Sequence, residues 1–188
     1  MDRREEIYEK ALELFIQDGY DKTPLSKIAR ELDLTKAGLY HYFKSKDELL
    51  FAIHKYDLEK DFIPILDAAE SIADPEKRIA YFLKTYTQKS LIKNAAARVL
   101  IHEVNRLKPE QREKIKKIWR RGFKLIYNAI TELEKAGRIQ DINKTFAAFA
   151  AIGMCSWTFY WFDYNRKESG VELSDTYVNI FLKGLLKD

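Results

Sequence analysis

Few side chains in this sequence are placed to make or break bonds. The three histidines fall at positions 41, 54 and 102, and the sole cysteine, Cys155, lies inside an apolar run, so no nucleophile is paired with a base. His102 stands beside Glu103, yet adjacent residues of a helix point about 100° apart and no third ligand is evident, which argues against a metal site. A glycine-rich loop able to cradle phosphate is also missing. The pattern speaks against an enzyme and predicts no cofactor. What remains is recognition. Residues 34 to 46 contain three lysines and no acid, interleaved with aromatic rings. Thr35, Lys36 and Ala37 open a short helix at the end suited to base edges. Tyr40 can offer its ring to a thymine methyl and its hydroxyl to an acceptor, while His41, Tyr42, Lys44 and Lys46 can reach phosphates.

A helix of about eight residues cannot hold itself in water, since even good helix formers need roughly 12, so neighbouring elements must position it. The first helix is expected over 3–18, with Ile7, Ala11, Leu14 and Phe15 on one stripe and Gly19 ending it. Thr23 offers an N-cap oxygen and Pro24 the first position of a second helix over 24–32, burying Leu25, Ile28, Ala29 and Leu32. Asp33 and Leu34 make a tight connection, Thr35 caps a third helix over 36–43, and Ser45 caps a fourth, with Glu48 at capping-box spacing. Leu39 and Phe43, four apart, turn inward and leave Lys36, Ala37, Tyr40 and His41 outside, with Gly38 allowing close helix crossing. Residues 1–47 hold nine basic and ten acidic side chains, so the positive charge is focused on this one helix.

The stretch "TPLSKIARELDLTKAGLYHYFKSKDELL" resembles the head of the TetR family of transcriptional regulators in its short second helix, Gly-Leu-Tyr step, Tyr-Phe end and Lys-x-Glu-Leu-Leu entry to the fourth helix. "ALELFIQDGYDKT" is similar to the family's first helix and its exit, so the match covers about residues 7–51. The resemblance implies that Lys36, Tyr40, His41, Tyr42 and Lys46 touch DNA and that Gly38, Leu39 and Phe43 are structural. It also implies a dimer built on the last two helices.

Beyond the head, helices are expected from 46 to Pro64, which marks either a break or a kink, over about 75–89, 92–106, 109–136 and 142–165, and from after Ser174 to the end. The whole reads as all-α: a three-helix DNA-binding head over 1–46 and a six-helix ligand-binding and dimerisation body over 47–188. The helix at 142–165 is apolar around most of its circumference. Phe146, Phe149, Ala150, Gly153, Trp157 and Tyr160 occupy one broad side, and Ala147, Ala151, Met154, Thr158, Trp161 and Phe162 continue round it. One monomer hardly buries all of that, so Phe149, Gly153, Trp157 and Tyr160, joined by Phe181 and Leu185, are the expected homodimer seam. Tyr81, Phe82, Tyr86, Leu100, His102, Phe123 and Tyr127 supply apolar walls and polar handles for a small hydrophobic effector. Residues 108–124 carry eight basic and two acidic side chains, either a solvated face or an edge for the phosphates of an acyl-coenzyme A.

The chain has 188 residues, 46% of them apolar, enough for a substantial core, and a net charge of only +4. A single cysteine suits a reducing compartment, and no apolar signal or spanning segment is visible, so an intracellular, cytoplasmic protein without membrane contact is expected. The functional expectation is a repressor that binds a palindromic operator as a dimer and is released by ligand. A nonspecific DNA-compacting dimer and a multidrug-sensing regulator remain alternatives.

Overall fold

The computed structural model describes residues 2–92, 94–161 and 170–187. Among the described residues every regular element is a helix, and the one β feature is an isolated antiparallel bridge between Ile139 and Leu186. The helices are α1 (Arg3–Asp18), α2 (Leu25–Glu31), α3 (Lys36–Tyr42), α4 (Lys46–Asp57), α5 (Ile63–Glu70), α6 (Pro75–Ile92), α7 (Asn94–Glu103), α8 (Pro109–Lys135), α9 (Lys144–Trp161) and α10 (Gly170–Leu185). A π-turn (Leu58–Phe62) joins α4 to α5 without a break, and a 3-10 turn (Val104–Arg106) follows α7. Counted as one path, α4 and α5 carry the helix predicted from Lys46 through Pro64, where the kink, not the break, of the two expected outcomes is found. Pro64 has no amide to give the carbonyl four residues back, and the widened winding just before it accommodates that loss.

Packing groups residues 1–58 with 95–116, and 59–94 with 117–188. In the first unit the inner stripe of α1 (Ile7, Ala11, Leu14, Phe15) is buried, as are Leu25, Ile28 and Ala29 of α2, Leu39 and Phe43 around α3, and Leu49, Leu50 and Ile53 of α4. Tyr8 links two of these layers, its ring 5.8 Å from Phe43 and 5.2 Å from Tyr56. Asp33 takes φ 54° between α2 and α3, where the Leu34 amide donates back to the Ala29 carbonyl at 2.9 Å. An acidic side chain tolerates that left-handed step better than most. Thr23 departs from its expected capping role. Pro24 itself is the N-cap of α2, and the fully buried Thr23 hydroxyl donates back to the Gly19 carbonyl at 2.9 Å, satisfying the end of α1 rather than the start of α2.

The second unit is built around α6, which packs on α5, α9 and α10. Ile65, Leu66, Ile79, Phe82, Leu83, Ile126, Ile130, Leu133, Ala148, Ala151 and Cys155 form its core. Gly122 of α8 lies against Phe62: a Cβ there would come within 2.9 Å of the ring. At the end of α8, Gly137 takes φ 69° and stops the helix as expected, with Arg138 N–H donating to the Leu133 carbonyl. Helix α10 begins at Gly170, one turn earlier than predicted. Ser174 is therefore not a cap; it is buried inside the helix, where its hydroxyl donates to the Val171 carbonyl at 2.7 Å and accepts from Gln88 Nε2 at 2.9 Å. Residues 162–165, and with them Phe162 and the predicted end of α9, lie outside the described residues, as does the side chain of Trp161.

Candidate functional site

Helix α3 is held from both ends. The Thr35 hydroxyl accepts from the Gly38 amide at 2.9 Å, and after the helix the Ser45 hydroxyl accepts from Glu48 N–H at 3.0 Å to start α4. The Glu48 carboxylate reaches back to the amide of Lys44, one residue short of the Ser45 amide that a capping box would use. Gly38 serves the cap rather than a helix crossing, since a Cβ there would sit 3.2 Å from Thr35 Oγ1. With Leu39 and Phe43 buried, Thr35, Lys36, Ala37, Tyr40, His41 and Lys44 are exposed together on one side, and Tyr42 is half-buried. Lys36 Nζ lies 5.8 Å from the centre of the Tyr40 ring, and Lys44 Nζ donates to the Tyr40 carbonyl at 3.0 Å. His41 meets Tyr42 edge to face. The exposed set is thus a cationic rim around one protruding phenol, a shape suited to a groove.

Lys46 stands apart from this rim. Its Nζ donates to the Tyr20 carbonyl at 2.7 Å and lies 4.3 Å from the centre of the Tyr20 ring, and burial holds its pKa below the usual lysine value. Tyr20 in turn donates its hydroxyl to Asp47 at 2.6 Å, and Arg106 closes the other side, stacked 5.2 Å from the ring centre and paired with Asp21 at 2.7 Å. Tyr20 and Asp21 fall in the matched exit of the first helix without any sign that they enclose Lys46, and Arg106 carries no motif signal at all; their meeting depends on contacts between residues up to 85 apart.

His54 of α4 is 2% exposed, and burial pushes its pKa down to about 4. Below the ordinary histidine value of about 6.5, the unfolded chain takes up a proton that the folded one refuses until about pH 4, so stability falls as pH drops through this window. Thermal unfolding at pH 7.5 and pH 5 is expected to show an acid-linked loss of about 2 kcal/mol from this group. Replacing it, His54→Leu, should remove that part of the difference; an unchanged pH dependence in the variant would contradict the assignment.

The residues predicted to line an effector cavity fall in two places. Phe82, Tyr86 and Phe62 form an aromatic cluster with centroids 5.1 to 6.3 Å apart. Phe123 stacks with Tyr127 at 6.1 Å and meets Phe149 at 4.8 Å. Tyr81 turns outward, 36% exposed. Leu100 and His102 belong to the first unit, Leu100 buried and His102 exposed. A cleft of about 660 Å³ runs instead along α8, lined by Arg78, Lys117, Arg120, Arg121, Lys124 and Glu132 among others. None of the seven predicted lining residues borders it. Arg121 is engaged by Glu70 and Asp67, and Arg78 by Glu132 at 2.7 Å and the carbonyls of Ile72 and Ala73, which leaves Lys117 and Lys124 exposed. Among the described residues no group of three His, Cys, Asp or Glu could hold a metal ion.

The apolar circumference of α9 divides cleanly. Ala147, Ala148, Ala151 and Cys155 are buried in the core, whereas Phe146 (70% exposed), Phe149 (61%) and Trp157 (63%) stand in solvent with Ala150, Gly153 and Tyr160. On α10 the expected seam residues Phe181 and Leu185 are instead buried in the protomer's own core, because α10 turns that face onto α6; Val171 and Ile180 are the exposed ones.

A family model described as bacterial regulatory proteins, tetR family, matches residues 7–53, and one described as tetracyclin repressor-like, C-terminal domain, matches residues 73–185, more than half of the chain. The chain belongs to the TetR family of transcriptional regulators. An uncharacterized HTH-type transcriptional regulator, YuxN of Bacillus subtilis (strain 168), is 43% identical over 61 residues, which are 32% of this chain and 21% of that protein; this chain spans about a fifth of that relative's length. The fatty acid metabolism regulator protein of the same organism is 21% identical over 182 residues, covering 96% of this chain and 94% of that one. A crystal structure of AibR in complex with isovaleryl coenzyme A and operator DNA superposes with a TM-score of 0.88 at 27% identity, over 96% of this chain and 99% of that one. Both halves of a TetR-family regulator, the helix-turn-helix head and the ligand-binding body, are therefore matched, and membership places the chain among regulators rather than enzymes. No helix among the described residues is long and apolar enough to cross a membrane.

Proposed function

We propose that this TetR-family regulator is a homodimeric repressor that sets two α3 helices in successive major grooves of a palindromic operator and releases it on binding an acyl-coenzyme A. The capped α3 with its exposed Lys36, Tyr40, His41 and Lys44 supports the DNA half of this reading. The apolar stripe of α9 supports the homodimer, since Phe146, Phe149 and Trp157 are too large and too aligned to be a casual surface. For the effector, the main support is likeness over nearly the whole chain to AibR, whose crystal structure holds isovaleryl coenzyme A and operator DNA. The basic cleft along α8 adds to it: Lys117 and Lys124 offer charge to phosphates. The chain passes between its two packing units after Leu58, where α4 enters the π-turn, after Asn94 at the start of α7, and after Lys116 within α8, and in this reading these helices carry ligand occupancy to the head.

Selection of genomic fragments by the purified protein gives the operator. Its affinity is then measured by fluorescence anisotropy with isovaleryl coenzyme A, a long-chain acyl-coenzyme A and an uncharged hydrophobic drug. At least a tenfold loss of operator affinity with a thioester alone is the expected result. Release by the drug alone favours a multidrug sensor, and coating of DNA in proportion to its length, without a protected repeat, favours compaction.

A further inference from the structure

Tyr20 and Asp21, in the loop between α1 and α2, are gripped from two distant parts of the chain. From the start of α4, Lys46 Nζ donates to the Tyr20 carbonyl at 2.7 Å and to the Asp21 carbonyl at 3.4 Å, and Asp47 accepts from the Tyr20 hydroxyl at 2.6 Å. From the 3-10 turn after α7, the Arg106 guanidinium lies 5.2 Å from the centre of the Tyr20 ring. Its Nη2 donates to the Asp21 carboxylate at 2.7 Å, and its Nε donates to Glu103. The Tyr20 ring is 5% exposed. The family's C-terminal model covers residues 73–185, Arg106 among them, yet residues 95–116 pack with residues 1–58.

Arg106 suits this place by shape. Its planar fork reaches two carboxylates while its guanidinium lies over a ring, a combination that a lysine cannot reproduce. As a source of stability the clasp is minor, since the Arg106 and Asp21 side chains are 45% and 70% exposed and ion pairs in water contribute little. What the contact adds is direction. The head moves as a block: Arg3 ties α1 to the Leu32 carbonyl at 2.7 Å, and Lys27 of α2 pairs with Asp18 of α1 at 2.9 Å. Chain continuity joins that block to the remaining residues through α4 alone, and a block carried on one helix can turn. Arg106 supplies a second attachment from a different element.

We infer that the Arg106 clasp is a positioning device that fixes the angle of each head and thereby sets the half-site spacing that the dimer accepts in its operator. This rests on the proposal that the chain binds a palindromic operator as a homodimer. Two recognition helices reach successive major grooves only if they are held about one helical turn apart, so a head free to swivel meets the second half-site less often but tolerates wrong spacing better.

The test measures binding by anisotropy to three duplexes: the selected operator, the same operator with two base pairs inserted between its half-sites, and a single half-site. The wild type is expected to lose about a hundredfold on the expanded operator. Arg106→Ala and Asp21→Ala should each bind the native operator about tenfold more weakly than the wild type, lose only about a further tenfold on the expanded one, and match the wild type on the half-site. Their melting temperatures should stay close to the wild-type value, because both side chains are exposed. Arg106→Lys, which keeps the cation and loses the fork, should behave as Arg106→Ala. Charge alone predicts a different pattern, in which Asp21→Ala, having lost an acid, tightens on every duplex; that result would overturn the clasp, as would wild-type behaviour of Arg106→Lys. Unchanged affinity and spacing preference in both alanine variants would also overturn it, while leaving the dimeric operator reading in place. If the wild type binds the native operator no more tightly than the half-site, the dimeric reading fails and this inference fails with it.

Discussion

Trp157→Asp is expected to yield a folded monomer that has lost at least about a hundredfold in operator affinity, because two linked half-site contacts exceed one by two orders of magnitude or more. Trp157 is 63% exposed on the α9 stripe, so the substitution removes little from the protomer's own core. In a two-fold seam the same change occurs twice, bringing two carboxylates into a dry apolar contact where neither finds a partner. Sedimentation and circular dichroism separate the effects: halved mass with unchanged helicity is expected. Phe181→Asp provides the contrast. That ring is 8% exposed within the core of the second unit, so a charge there is expected to unfold the chain rather than dissociate it. A dimeric Trp157→Asp protein with full operator affinity would rule out the α9 seam.

Tyr40→Ala is expected to cut affinity for the selected operator by about ten- to a hundredfold while leaving affinity for scrambled DNA nearly unchanged, the loss of a single base-edge contact of about 1–3 kcal/mol. Its ring is 38% exposed and is flanked by Lys36 and Lys44, so the fold does not depend on it and the dimer should persist. Lys44→Ala should behave in the opposite sense, weakening all sequences alike and making binding less sensitive to salt. Anisotropy titrations of both variants against both duplexes, at several salt concentrations, distinguish a reading residue from a positioning one. Equal losses on operator and scrambled DNA for Tyr40→Ala would show that the phenol contributes no sequence readout.

The parts of this molecule that were legible beforehand are those governed by neighbours in sequence. The interval from Leu39 to Phe43 orients α3, and the hydroxyls of Thr35 and Ser45 cap helices within three residues of themselves. Gly137 ends α8 through its own backbone conformation. What escaped was decided by distant partners. Thr23 sits where a cap belongs, yet the unpaired end of α1 claims its hydroxyl. Lys46 lies within the motif, but Tyr20 and Arg106 determine what surrounds it. Periodicity shows that α9 is apolar around most of its circumference without showing which side of α9 or α10 meets α6, and Phe181 and Leu185, expected at the seam, lie in the protomer's own core. The helix of His102 reads as part of the body, whereas its packing is with the first unit.

The bond between Lys46 and the Tyr20 carbonyl also bears on how operator occupancy responds to the ionic environment. Each phosphate neutralised by a protein cation frees condensed counterions and steepens the logarithmic dependence on salt by about 0.9. A lysine already turned inward toward a loop frees none. With two lysines of the 34–46 stretch facing outward rather than three, each head displaces about one cation fewer from the duplex than its composition implies, and a dimer about two fewer. Changes in ionic strength are therefore expected to disturb DNA binding less than a tally of basic residues would suggest.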